Sequence, residues 1–303
     1  MGFKFAAFAD ESSPRLSGQI DALVRNGFQH LEIRNIEGKN ISDLTLAEAK
    51  EYAARLADHG LSVRSLGSPI GKIPVDGDYA AHRDLYKHTL DLAAAFGADK
   101  IRLFSFYIPA GVDPASCRET VLRRMEDFVT LAKPYGVTAC HENEKGIYGD
   151  IAARCLDLHQ NVPGLAAVFD PANFIQCGQD TMEGWEMLRS YVNYMHIKDA
   201  LPDGRVVPPG EGIGNVPALI RNFAAQGGEL LSLEPHLSEF VGLRSLEREG
   251  EESIVGSLTF ESNEAAFDHA AKALRSLLYA AGNDIVRGTP LENIEAFLSE
   301  CGS

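Results

Sequence analysis

Short apolar runs alternate with longer amphipathic stretches along almost the whole chain. The runs Phe3–Asp10, His30–Asn35, Ser62–Ser68, Lys100–Phe106, Val137–Asn143, Leu165–Pro171, Val192–Asp199 and Leu230–His236 read as strands. They are short, continuous and rich in Ile, Leu, Val and Phe, the composition of parallel strands covered on both faces. Between them apolar residues recur at helical spacing, as in Leu46–His59, Tyr79–Phe96 and Cys117–Tyr135, and a further helix, Glu264–Ala281, follows the last strand. Leu85, Leu92 and Phe96 share one helix face. Asn26-Gly27, His59-Gly60, Phe96-Gly97 and Tyr135-Gly136 each set a glycine before the next strand, where a left-handed residue closes a helix.

Eight βα units in a row predict an α/β fold, a (β/α)8 TIM barrel, as a single domain over residues 1–303. The alternative is an open doubly wound sheet, but no GxGxxG follows the first strand, where that fold places its phosphate loop. No Pro/Gly/Ser linker divides the chain. Two segments exceed what a barrel needs. The extended loop Leu237–Glu261, with the charged run Arg244–Glu252, reads equally as a lid or as a solvated loop. Thr289–Cys301, with Pro290 near its start, reads as a C-terminal helix packed on the barrel or on a second subunit.

Composition narrows the function. The 303 residues include 28 Lys and Arg against 43 Asp and Glu, a formal charge of −15. Such a surface repels phosphate backbones, so no nucleic acid is expected as a partner. A hydrophobic share of 45% is ample for a full core. The longest apolar runs fall far short of the ~20 residues of a membrane span, so no membrane is expected either. Met1–Phe5 runs straight into a strand without a signal-peptide pattern. The cysteines (Cys117, Cys140, Cys155, Cys177, Cys301) are scattered, odd in number and form no CxxC. That pattern points to a cytoplasmic, reducing setting and away from disulfides or a thiolate zinc site.

A barrel of this kind works at the C-terminal ends of its strands. The last four runs end alike, in His141-Glu142-Asn143, Phe169-Asp170-Pro171, His196-Ile197-Lys198-Asp199 and Leu233-Glu234-Pro235-His236. Glu142, Asp170, His196 and Glu234 therefore stand at matched heights on adjacent staves. Three carboxylates and an imidazole crowded in low dielectric repel one another without a cation. With one divalent ion per chain they form a hard O₃N site suited to Mn²⁺, or to Mg²⁺, Co²⁺ or Zn²⁺. Alternation along the strands puts Glu142 with Cys140 and Thr138, Asp170 with Val168 and Ala166, and Glu234 with Ser232 and His236. Lys198 and His236 share faces with His196 and Glu234, so they too point into the mouth, whereas His141 points outward as a structural histidine.

The first four runs end in Ala9-Asp10-Glu11, Glu32-Ile33-Arg34, Gly67-Ser68-Pro69-Ile70-Gly71-Lys72 and Ser105-Phe106-Tyr107. Arg34, Lys39, Lys72 and Arg205 are cations available to a substrate, and as a set they lean toward a polyol, sugar acid or sugar phosphate. Phe106 and Tyr107 either stack on a sugar or cap the barrel. The stiff loop Pro208-Pro209-Gly210-Glu211-Gly212 could hold Arg205 over the site. Trp185 reads as packing.

Cys140-His141-Glu142-Asn143, Phe169-Asp170-Pro171-Ala172-Asn173, His196-Ile197-Lys198-Asp199, Pro209-Gly210-Glu211-Gly212 and Leu233-Glu234-Pro235 resemble the xylose isomerase-like TIM-barrel superfamily. That superfamily comprises sugar isomerases and epimerases and also endonuclease IV, and the resemblance spans nearly the whole chain. It implies that Glu142, Asp170, His196 and Glu234 hold the metal, and that Glu142 and Glu234 double as acid and base on opposite faces of the substrate. Epimerases of the family often carry a histidine three residues after the aspartate, where this chain has Asn173.

The expected activity is a divalent-metal-dependent isomerase or epimerase of a small sugar, sugar phosphate or polyol, moving a proton through a metal-stabilised enediolate. Lys198 reads equally as a group that stabilises the oxyanion or binds a substrate carboxylate and as a strand-end salt bridge to Asp199, and His236 and Asn173 would contact the substrate. If a β-hydroxyl leaves instead, the same site gives a lyase of the inosose, dehydroshikimate or 3-keto-sugar type. A DNA-repair endonuclease would want a multi-metal, His-rich cluster and a basic face. A non-catalytic sugar-binding barrel would not need two carboxylates beside a metal. No GxSxG elbow, Walker A loop or redox CxxC occurs. A homodimer or homotetramer is the expected assembly for a barrel of this size.

Overall fold

Each predicted apolar run supplies one stave of a closed, all-parallel barrel. The computed structural model describes residues 3–240 and 258–285. The staves are β1 (Lys4–Ala7), β2 (His30–Ile33), β3 (Ser62–Leu66), β4 (Lys100–Leu103), β5 (Thr138–Glu142), β6 (Ala166–Phe169), β7 (Val192–Ile197) and β8 (Leu230–Leu233). Each pairs with its neighbours in sequence, and β8 closes the ring on β1 through Ala6↔Ser232 and Ala7↔Leu233.

The staves end before the apolar runs do. The run Phe3–Asp10 leaves the ladder at Ala7, and Ala9–Glu11 form a tight helical turn. The run Leu165–Pro171 stops at Phe169, because Pro171 has no N–H to give the ladder and opens a helix instead. Several polar side chains of the mouth, Asp10, Glu11, Asp170 and Glu234 among them, sit on residues just past the ladder, while Glu142 and His196 remain within it.

Around the barrel lie α1 (Leu16–Arg25), α2 (Leu46–Ala57), α3 (Tyr79–Phe96), α4 (Pro114–Ala132), α5 (Ala152–Asn161), α6 (Pro171–Gln176), α7 (Thr181–Leu188), α8 (Val216–Ala225) and α9 (Asn263–Ile285). Their starts follow capping chemistry. Thr45 and Glu48 form a reciprocal capping box on α2, and Asp78, Asp113, Asp170 and Asp180 cap α3, α4, α6 and α7. The helix expected from Cys117 begins at Pro114, because Asp113 followed by proline is the stronger start signal. Gly27, Gly60, Gly97 and Gly136 all adopt the left-handed backbone their positions predict. The last helix packs against α1 and α8, where Arg25 and Asn26 both bond Asp268.

Most of the core lies between strands and helices. A smaller plug of Ala6, Cys140, Val168, Tyr194 and Leu230 fills the barrel's inside, below the mouth. Two short hairpins, Asn35–Ile36 with Lys39–Asn40 and Asp199–Ala200 with Val206–Val207, decorate the strand ends. Leu237 and Phe240 are buried at the start of the long loop. Residues 241–257 of that loop, including the run Arg244–Glu252, lie outside the described residues, as does the expected helix Thr289–Cys301. Among the described residues no helix is long and apolar enough to cross a membrane.

Candidate metal centre and active site

Strand alternation carries four side chains to one point. Glu142 ends β5, Asp170 follows β6, His196 lies in β7 and Glu234 follows β8. All four are buried, and one ligand atom from each falls within 4.8 Å of the others. His196 Nδ1 is 2.9 Å from Glu142 Oε1, 3.4 Å from Glu234 Oε2 and 3.7 Å from Asp170 Oδ2.

Local bonds aim each group. Asp170 caps α6 through Oδ1, which accepts from the Asn173 N–H at 2.9 Å and leaves Oδ2 toward the cluster. The Asn143 amide clamps the Asp170 peptide on both sides, donating to its carbonyl and accepting from its N–H. Asn173 Nδ2 donates to Glu142 Oε1 at 3.1 Å and to the Asn143 carbonyl at 2.9 Å. The far nitrogen of His196, Nε2, meets Glu32 Oε2 at 3.1 Å inside the barrel. Glu32 in turn accepts from Tyr194 at 2.7 Å and Ser65 at 3.2 Å. The Phe8 ring stands edge-on to the imidazole, 5.2 Å away.

Three buried cations interleave with these acids. Lys198 Nζ lies 2.9 Å from Asp170 Oδ2 and 2.8 Å from Glu234 Oε2. Arg102 Nη1 lies 3.2 Å from Glu142 Oε2, while Nη2 donates to the carbonyls of Gly67 and Ser68. Arg34 binds Asp10 through two bonds, and also Glu11 and Glu234. Aromatic faces separate the cations: Arg34 sits between Phe8 and Phe240, Arg102 between Phe8 and Phe104, and Lys72 over Phe104 at 4.4 Å. Cation–π contact of this kind holds desolvated guanidinium groups in one place.

Proton affinities follow from these neighbours. Burial alone would push the His196 imidazole down, but Glu142, Glu32 and Glu234 outweigh it and hold it well above its ordinary value. Burial would raise the Glu234 carboxyl, yet Lys198, His236 and His196 hold it well below the usual range. Burial raises Asp170 against the pull of Lys198. Burial, with Glu234 and Asp10 nearby, pushes Glu11 up to about 8 despite Arg34. The His236 ring is pushed well down by burial.

The donor set fits a divalent cation. Glu142 Oε2 and Asp170 Oδ2 are buried and accept no directed hydrogen bond. With Glu11 pushed up to about 8, Asp10, Glu32, Glu142, Asp170 and Glu234 are five buried acids beside the permanent charges of Arg34, Arg102 and Lys198. Three hard oxygen donors and one imidazole nitrogen are the ligands that Mn²⁺-class ions take. The Glu32 carboxylate behind His196 holds the ring through Nε2, as carboxylates do behind metal-binding imidazoles.

The other sequence-selected residues divide. Arg34, Asn173, Lys198 and His236 stand at the cluster, His236 with its backbone N–H on Glu11 at 2.6 Å and its ring 4.0 Å from Glu234. Lys72 pairs with Glu144 at 3.2 Å near the mouth. Lys39 and Arg205 are not brought to the cluster. Each lies on an outer hairpin, Lys39 paired with Glu48 and Arg205 with Asp203. The Pro208–Gly214 loop is held by Asp199 instead of holding Arg205. Phe106 is packed against Tyr79 and Phe128 behind the barrel. His141 faces outward, bonded to Ser105. Sequence reasoning passed over Arg102 and Tyr194 and gave Glu32 no role. The alternation in Lys100–Phe106, where Ile101 and Leu103 face the helices, was the available signal for Arg102.

The fold is a closed parallel barrel whose mouth carries an acidic, histidine-bearing cluster that could hold a divalent ion. The family model for the xylose isomerase-like TIM barrel matches residues 20–277, and the chain belongs to that family, which spans enzymes of the sugar isomerase, epimerase and dehydratase type. An L-ribulose 3-epimerase structure superposes with a TM-score of 0.75 at 19% identity, covering 96% of this chain and 100% of that one. An IOLI protein with a bound zinc atom gives 0.70 at 15% identity, over 92% and 99%. The probable 3-DHS dehydratase AsbF of Bacillus anthracis gives 0.68 at 17% identity, over 89% and 98%. No curated protein matches the sequence significantly.

Proposed function

We propose that this protein is a divalent-metal-dependent isomerase or epimerase of a sugar or polyol ketone, acting by proton transfer at the carbon beside the carbonyl. The observation that carries the reading is the pair Glu142 and Glu234. They come from different staves, both reach His196 Nδ1 within 3.4 Å, and each has its own set of orienting partners. An ion held by Glu142, Asp170, His196 and Glu234 would supply Lewis-acid stabilisation of negative charge on the substrate oxygens.

The chain's own residues do the rest. One glutamate takes the proton from the α-carbon, and the other returns one to the opposite face or to the neighbouring carbon. Glu234, ionised under the pull of Lys198, is ready to accept. Asn173 holds Glu142 Oε1 in line. Lys198, buried between Asp170 and Glu234, brings positive charge to the side where an oxyanion develops. His236, its ring beside Glu234, faces the substrate hydroxyls. Departure of a β-hydroxyl would begin with the same proton removal, and product analysis separates that outcome.

The test is elemental analysis of wild type, Glu142→Gln and His196→Ala, followed by α-proton exchange of keto sugars in D₂O. About one Mn²⁺-class ion per chain, lost in both variants, together with exchange only in wild type, is the expected result. Folded wild type that takes up no Mn²⁺, Mg²⁺, Co²⁺ or Zn²⁺ would end the reading.

A further inference from the structure

The end of the barrel opposite Glu142 and Glu234 carries a concavity of its own. The N-terminal ends of barrel strands ordinarily serve stability alone. Here they frame a cavity of about 280 Å³, close to the lower bound of small-molecule sites. Lys4 opens β1, Lys100 opens β4 and Arg64 is the third residue of β3, and all three side chains line the cavity.

Three cations thus meet in one place on a chain of formal charge −15. The carboxylates beside them do not cancel them. Lys4 pairs with Glu229 at 2.7 Å, but Arg64 and Lys100 share a single acid, Asp99, each at 3.1 Å. Three positive charges against two negative ones leave one in excess. The Arg64 Nε–H is buried and meets no acceptor among the described residues, so one edge of the guanidinium is still to be bonded. Space is kept beside these groups. Gly227 and Gly228 form part of the wall, and a Cβ at Gly227 would meet nothing within 4 Å. The Phe223 ring, close against Gly228, gives the cavity an apolar side.

A guanidinium fork beside two ammonium groups, in a cavity walled by bare backbone, is the donor set that phosphate oxygens take. We propose that the cavity at the N-terminal ends of the strands is an anion site for a phosphate group, that of inorganic phosphate or of a small phosphate ester, separate from the metal centre. The site stands independently of the isomerase reading.

Calorimetry on the full-length protein, with and without Mn²⁺, tests it with inorganic phosphate, glycerol 3-phosphate and uncharged glycerol. Phosphate should bind under both conditions and glycerol under neither. Tighter binding of glycerol 3-phosphate identifies an ester as the occupant, and tighter binding of phosphate identifies the free ion. Arg64→Gln and Lys100→Gln should each weaken binding at least about tenfold, the scale of one charge-assisted hydrogen bond. Asn193→Asp sets an acid on an exposed lining residue without removing a described ion pair, and should weaken binding about threefold or more. It decides the matter if the other variants do not fold. Sulfate, whose charge is constant over the range, gives a second readout. Burial, Arg64 and Lys4 hold the His30 imidazole below its ordinary value, against the pull of Asp99. A bound anion favours the charged ring, so the His30 resonances should titrate at higher pH in sulfate than in its absence. No binding below about 10 mM, binding only with Mn²⁺, or equal affinity in the folded variants overturns the proposal.

Discussion

Glu32→Gln tests the idea that the residues behind His196 set the metal centre. Glu32 is fully enclosed, with Oε2 at 3.1 Å from His196 Nε2 and Oε1 at 2.7 Å from the Tyr194 hydroxyl. Glutamine keeps the shape and can still accept from Tyr194 and Ser65. It then turns an amide donor toward Nε2, so donor faces donor and the imidazole loses the carboxylate that orients it. A buried charge-assisted hydrogen bond contributes about 1.5–3 kcal/mol. Outer partners of metal-bound histidines change affinity by about 10- to 100-fold. The Mn²⁺ dissociation constant, from electron paramagnetic resonance titration or calorimetry, should therefore rise within that range. Urea unfolding of the metal-free protein shows whether the fold is kept. Tyr194→Phe is the control: it removes a bond to Glu32 without touching Nε2 and should weaken Mn²⁺ binding by less than about threefold. A folded Glu32→Gln protein that binds Mn²⁺ within about twofold of wild type would refute the orienting role.

Other expectations concern the frame of the mouth. Asn173→Ala removes the donor that aligns Glu142 Oε1, so kcat for proton exchange should fall at least about tenfold with little change in thermal midpoint; unchanged kcat would show that Glu142 is aligned by other contacts. Gly71 has φ +91°, and a Cβ there would overlap the Phe104 carbonyl, so Gly71→Ala should cost about 3 kcal/mol or more in denaturant unfolding. Gly60→Ala, left-handed but with open space around it, should cost only about 1 kcal/mol. Burial, helped by Arg124, lowers His82 from 6.5 to about 4 while its Nε2 accepts the Gly71 N–H at 2.7 Å. The folded state thus prefers neutral His82, and its contribution is complete above pH ~6.5 and lost as pH falls toward ~4, up to about 3 kcal/mol. Stability measured from pH 7.5 to 4.5 should decline less steeply in His82→Gln; an identical slope would contradict the assignment.

The barrel was legible because its signals are local. A continuous apolar run, a glycine closing the preceding helix and a polar residue at the run's end occupy a few adjacent positions. Once the eight runs are counted, alternation alone places Glu142, Asp170, His196 and Glu234 on the inner face. Asn173 and Lys198 follow from the same short segments. The strand ends were less legible. Ala9 continues the apolar run toward Asp10, yet the backbone has already left the ladder there for a tight turn.

What the sequence could determine by itself was the set of groups carried on each stave and the face each one takes. Period-two alternation and capping act within a few residues. The tertiary structure alone decided which groups meet. Glu32 and His196 lie 164 positions apart and touch only because the ring closes, as do Arg34 and Glu234 across 200 positions. It also decided which cations serve the mouth. Arg34 and Lys39 are near neighbours in sequence, but one is buried between aromatic rings and the other lies at the surface. Charge and residue type are properties of the chain, whereas partner, burial and dielectric arise only when distant segments exclude water together.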